Sequence, residues 1–71
     1  MAAPDSRVMQ DLRAAEQALA NMRVSMHQFY VACQFENWEA AEISRDAAVA
    51  YLESALDAHH RAARRVETGR K

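Results

Sequence analysis

Between Val8 and Cys33 the side chains Val8, Leu12, Ala15, Leu19, Met22, Met26, Phe29 and Cys33 recur at alternating spacings of four and three residues. Nothing else in the chain constrains its fold as strongly. A 3.5-residue period draws one stripe along a helix and leaves that stripe to be covered by another helix. The rhythm returns in the second half at Trp38, Glu42, Arg45, Val49, Leu52, Leu56, His59, Ala63 and Val66, flanked by Ala41, Ala48, Ala55 and Ala62 at intervals of seven. A row of alanines of that kind lets a neighbouring helix approach closely. The single proline and single glycine, Pro4 and Gly69, stand near the ends, so the interior uses neither strong chain breaker. Good helix formers fill it instead.

The two rhythms meet at Phe35-Glu36-Asn37-Trp38-Glu39-Ala40-Ala41-Glu42. Asn37 followed by Glu39 and Glu42 reads as a fresh helix start, because the Asn side chain accepts from free backbone N–H groups and the acids complement the positive helix end. His59, His60, Arg61, Arg64 and Arg65 crowd the far end, in the sense the helix dipole favours. Asp5 or Ser6 can cap the first helix. The pattern predicts a first helix over about residues 5–34, a turn at 35–37, a second helix over about 37–67 and a frayed basic tail at 68–71. Each helix would be about 45 Å long at about 1.5 Å per residue. So short a connection folds the helices antiparallel, giving one all-α domain, an αα-hairpin. The alternative is an uninterrupted helix through the turn. In the hairpin, Phe35 and Trp38 are expected to close the turn end over Phe29 and Cys33, since a large aromatic at a seam position is usually buried.

A chain of 71 residues buries a modest core on its own, and of its 51% hydrophobic residues 16 are alanine. Apolar residues also lie off the seams. Met9, Val24, Tyr30 and Val31 on the first helix, with Ile43, Ala47, Ala50 and Tyr51 on the second, widen the apolar arcs beyond what a single hairpin covers. A symmetric dimer forming a four-helix bundle is the expected remedy. Glu42, Arg45 and His59 fall on the second seam, where burial without partners would be costly. Glu42 and Arg45 are three apart and can pair. Such a polar layer either fixes helix register, as in coiled coils, or marks where the bundle opens to water.

Candidate chemistry is sparse. Glu53, Asp57, His59 and His60 include a carboxylate-x-x-His pair reminiscent of di-metal bundles, but the first helix offers only Glu16 near that level. A solvated, cationic helix end accounts for them, and no metal or cofactor is expected. Cys33 lies on a seam without an evident base, so a small buried hydrophobe is expected there and not a nucleophile. A lone cysteine forms no intramolecular disulfide, and no stretch resembles a signal peptide or membrane span. The chain is expected to be soluble and cytoplasmic.

The formal net charge of −1 is unevenly spread: residues 36–57 carry −5 and residues 61–71 carry +4. In length and hairpin architecture the chain resembles the RNA-recognising dimers of the plasmid copy-number regulator type. Such readers need a cationic helix face, whereas Arg7, Arg13 and Arg23 fall on different faces among acids. Trp38-Glu39-Ala40 beside the turn resembles the Trp-x-Gly of secreted WXG-type hairpins, with Ala40 in place of the glycine and a shorter chain. Fold likeness of that kind does not license function.

These features point to a non-enzymatic protein–protein interaction module, an adapter, inhibitor or regulator, host- or phage-encoded, that associates with itself and docks on another protein. The expected docking residues are Val24, Val31, Ile43 and Tyr51, with Glu36, Glu39, Glu42 and Asp46 supplying charge complementarity. The rival reading is a nucleic-acid-binding dimer using Arg61, Arg64 and Arg65. A narrow helical seam offers little pocket for catalysis.

Overall fold

The computed structural model describes residues 6–69, which form two α-helices, α1 (Ser6–Gln34) and α2 (Trp38–Gly69), folded back on one another as an antiparallel hairpin. An uninterrupted helix is thereby excluded. The α2 helix runs two residues past the expected end, so Thr68 and Gly69, expected in the tail, are helical. Arg70, Lys71 and the cap expected at Asp5 lie outside the described residues.

The reversal needs only three residues because one hydrogen-bond pattern ends α1 while another starts α2. Asn37 N–H donates to Ala32 O at 2.9 Å and Glu36 N–H to Cys33 O at 3.1 Å. That nested pair satisfies the last free carbonyls of α1 and requires a left-handed residue between them. Glu36 takes it, at φ 54°. Asn37 then caps α2, its Oδ1 accepting from Ala40 N–H at 3.2 Å and its backbone O from Ala41 N–H at 2.9 Å.

The helix seam differs from the expected one. On α1 the buried residues are Ala15, Ala18, Ser25 and Ala32, with Val8, Asp11, Met22 and Phe29 half-buried. Together they keep the three-four rhythm, but Asp11, Ala18, Ser25 and Ala32 replace Leu12, Leu19, Met26 and Cys33 on the inner side. On α2 the buried row is Ala41, Ala55, Ala58 and Ala62, with Ser44, Ala48 and Arg65 half-buried. The expected seam of α2, from Trp38 to Val66, is turned by one residue position and faces outward. Two helices alone approach closest when each presents its smallest side chains. The alanine row therefore becomes the contact, and the larger neighbours are displaced to its side. Among the described residues, no large side chain is fully buried.

Phe35 and Trp38 do not close the turn end. They are 78% and 64% exposed. Trp38, the first residue of α2, stands beside the Ala41 row and not on it. Glu42, Arg45 and His59 are likewise exposed, not buried as a polar layer. Arg45 holds Asp46 at 3.1 Å and Glu42 at 3.8 Å in a solvated cluster.

Candidate interaction surfaces

The displaced side chains gather on one side of the hairpin. At the open end, Val8 and Leu12 of α1 share a groove with His59, Ala63 and Val66 of α2. At the turn end, Phe29 and Cys33 share one with Trp38, Glu42 and Arg45. Between them run Leu19, Met22 and Met26 on α1 and Val49, Leu52 and Leu56 on α2, at the same heptad positions. All of these except Met22 count among the exposed large hydrophobics, with Leu52 41%, Leu56 49% and Met26 52% exposed. The face runs along both helices, and contiguous exposed apolar surface of this kind marks interaction sites. Cys33 at its turn end is half-buried and free.

The opposite side is polar and small, with one apolar region near the turn. There His27, Gln28, Val31, Ala32 and Phe35 of the α1 end face Asn37, Ala40 and Ser44 across an open groove. Val31 lines that groove and is half-buried; Val24, two turns before it on α1, and Ile43, beside Ser44 on α2, are exposed. Phe35 therefore lines the same groove as Val31. Its position just past α1 on the Val31 side is the signal that would have placed it. Tyr51 lies further along α2 on the seam row, 38% exposed. The acids do not join this cluster as a set: Glu36 sits in the turn, Glu39 and Asp46 point outward from α2, and Glu42 belongs to the large apolar face with Arg45.

The open end is held by a charge that sequence reasoning passed over. Asp11 sits on the α1 seam with its side chain 13% exposed, and accepts from Arg65 Nε at 2.9 Å and Arg61 Nε at 3.4 Å. The Arg65 hydrogen bond is the main cause of a carboxyl pKa below the usual 3.8. Covering of the group opposes that shift, and Arg61 adds to it. Asp11 lies as far before the turn as the Arg61–Arg65 pair lies after it, and that symmetry was the available signal. Of the three arginines proposed for nucleic acid, Arg61 and Arg65 are thus paired with a carboxylate. Arg64 is exposed, between grooves shared with His60 and Glu67 on one side and Arg7 and Thr68 on the other.

His59 and His60 meet edge to face at 6.3 Å. Among the described residues, no three His, Cys, Asp or Glu side chains gather as a group able to hold a metal, and no helix is long and apolar enough to cross a membrane. No protein-family model matches the chain, and neither a curated protein nor a solved structure is found similar to it.

Proposed function

We propose that this chain is a non-enzymatic protein–protein interaction module, a helical hairpin that associates with itself and presents a second surface to another protein. One observation carries the reading. The hairpin closes on itself with alanines and leaves its leucines, its tryptophan and most of its described methionines and valines exposed. A side chain the size of Leu, Met or Val contributes about 1.5–3 kcal/mol when buried, whereas a methyl-sized one contributes about 0.8 kcal/mol. Most of the apolar free energy encoded in the sequence is therefore realised only against a partner surface.

Two separate apolar regions suit two separate contacts. The long face fits another long helical surface. The turn groove around Val31 and Phe35, with exposed Val24 and Ile43 beside it, has the dimensions of a short docking site. The acids of the turn end would speed and orient encounter with a basic partner. Pairing of Arg61 and Arg65 with Asp11 lowers the charge available at the open end, which weighs against the nucleic-acid reading.

The test is affinity capture from the native cell with the tagged wild type and with a Val24→Glu, Ile43→Arg double variant. The variant is expected to keep the wild-type molecular mass and lose the specifically captured protein. Identical capture by both, or salt-sensitive retention of nucleic acid by the wild type, would overturn the reading.

A further inference from the structure

We infer that the long apolar face is covered by a second copy of the same chain laid antiparallel to the first, turn end over open end, with the twofold axis crossing the face at Met22 and Leu52. This inference rests on the self-association proposed above and specifies its surface and geometry.

The exposed area is larger than a compact chain of this mass leaves open, in the direction that a covering partner relieves. The chain exposes 5797 Å² at a mass of 8.0 kDa, where a compact monomer would show about 4,450 Å². Setting aside about 1,100 Å² for the residues outside 6–69, their bound at unfolded-chain exposure, leaves an excess of about 250 Å². A stable interface takes about 800 Å² from each partner.

The pattern of the face calls for this particular partner. Asp11 reaches both Arg61 and Arg65, which brackets its level near Ala63, and at equal rise along two antiparallel helices Met22 then stands about level with Leu52. About Leu52 the outer row of α2 is symmetric in chemistry: Trp38 and Val66 lie two heptads away on either side, and Arg45 and His59 one heptad away. About the neighbourhood of Met22 the outer row of α1 is symmetric too, with Leu19 and Met26 on the near sides and Leu12 and Cys33 on the far ones. Apart from Glu42, whose mirror position is Ala63, and Val8, whose mirror position lies past α1, the two rows are alike in either direction from one level of the hairpin. A twofold axis in the plane of the face, perpendicular to the helices, turns each row onto its own copy and makes the contact isologous. Most apolar layers then meet apolar layers, Arg45 falls against His59 of the second copy on both sides of the axis, and Glu42 falls at the level of Ala63. Polar layers placed so fix register at some cost in stability.

The charges choose antiparallel over parallel. Glu36, Glu39, Glu42 and Asp46 outnumber Arg45 at the turn end, and Arg7, Arg61, Arg64 and Arg65 outnumber Asp11 and Glu67 at the open end. In a parallel dimer the two acidic ends would coincide. In the antiparallel one each acidic end overlies a basic end, which favours association and orients it.

The native cysteine reports the orientation. Cys33 stands about eleven residues from the axis level, or about 16 Å at about 1.5 Å per residue, so in the antiparallel dimer the two Cys33 residues are about 33 Å apart along the bundle. Leu12 stands at the same distance on the other side and falls opposite the second copy's Cys33. Sedimentation equilibrium of the wild type is expected to give twice the chain mass, with Leu52→Glu monomeric and Ile43→Glu unchanged. Under mild oxidation, Leu12→Cys is expected to give a covalent dimer on a non-reducing gel while the wild type does not. The oxidation arm stands even where Leu52→Glu does not fold. A monomeric wild type overturns the self-association as well. A dimeric wild type that cross-links through Cys33 alone, or a Leu12→Cys dimer that never cross-links, overturns the antiparallel face and leaves self-association standing.

Discussion

The seam between the two helices and the face beside it use the same heptad rhythm with opposite side chains. On the seam of α2 stand Ala41, Ala55, Ala58 and Ala62, all buried; one position round the helix stand Leu52, Leu56 and Val66, all exposed. Small side chains bring two backbones together with little cavity and little transfer energy. Large ones reach across to a surface further off. The comparison teaches that an amphipathic repeat has two usable edges, and that intramolecular closure takes the edge allowing closest approach. It breaks most severely at Ala58, 1% exposed. Ala58→Leu forces about three extra carbons between the helices and is expected to cost about 3 kcal/mol. Ala50→Leu, adding the same volume at an exposed position of the same helix, should stay within about 0.5 kcal/mol. Urea unfolding of both variants at one concentration measures the difference; equal midpoints would show that the alanine row is not a tight contact.

That displacement also shows what the sequence could reveal. Helix content, antiparallel closure and the Asn37 cap were legible, because turn and capping chemistry is local: an Asn followed by acids offers an oxygen to free N–H groups whatever the rest of the chain does. The facing of the helices was not legible, because Leu12 and Asp11, or Val49 and Ala48, satisfy the same period one position apart. Hydrophobicity ranks the larger residue inside. Distance of approach between only two helices ranks the smaller one inside, and in the isolated hairpin distance prevails. Trp38 followed Leu52 outward for the same reason. Of the residues read as a docking site, Val31 lines the groove near the turn and Val24 and Ile43 lie beside it; Tyr51 and the acids are spread elsewhere, since their grouping depended on that facing.

One charged side chain sharpens the contrast from inside the seam. Asp11 occupies a position that Ala18, Ser25 and Ala32 fill elsewhere on α1, and it is tolerated because Arg65 and Arg61 reach it from α2. Its pKa in the folded chain lies below the ordinary 3.8. A carboxyl depressed by folding stabilises the fold above its unfolded pKa, and that contribution is lost as pH falls through the lowered folded value. Asp11→Asn should therefore melt below the wild type at neutral pH, and the gap should close as the pH drops below about 3.8. Thermal melts of both proteins from pH 7 to pH 2 follow it. A gap that persists undiminished at pH 2 would mean that the carboxylate charge is not what holds the open end.

The turn reverses the chain with an unusual residue. Glu36 lies at φ 54°, the left-handed region in which a Cβ crowds the neighbouring carbonyl and which glycine occupies without that cost. The two hydrogen bonds that bracket it, from Glu36 and Asn37 to Cys33 and Ala32, depend on the backbone and not on the Glu side chain. Glu36→Gly keeps them and relieves a strain of about 1 kcal/mol, while the freer unfolded chain takes part of the gain back. The net expectation is a stabilisation of about 0.5 kcal/mol, read as a small rise in urea midpoint with unchanged slope. Removing a turn-end acid in the same step also weakens the charge contrast between the two ends. The variant should therefore be more stable as a hairpin and slightly weaker in self-association at low salt. A loss of hairpin stability instead would mean that the Glu36 carboxylate itself contributes to the turn, and that the reversal is not maintained by backbone geometry alone.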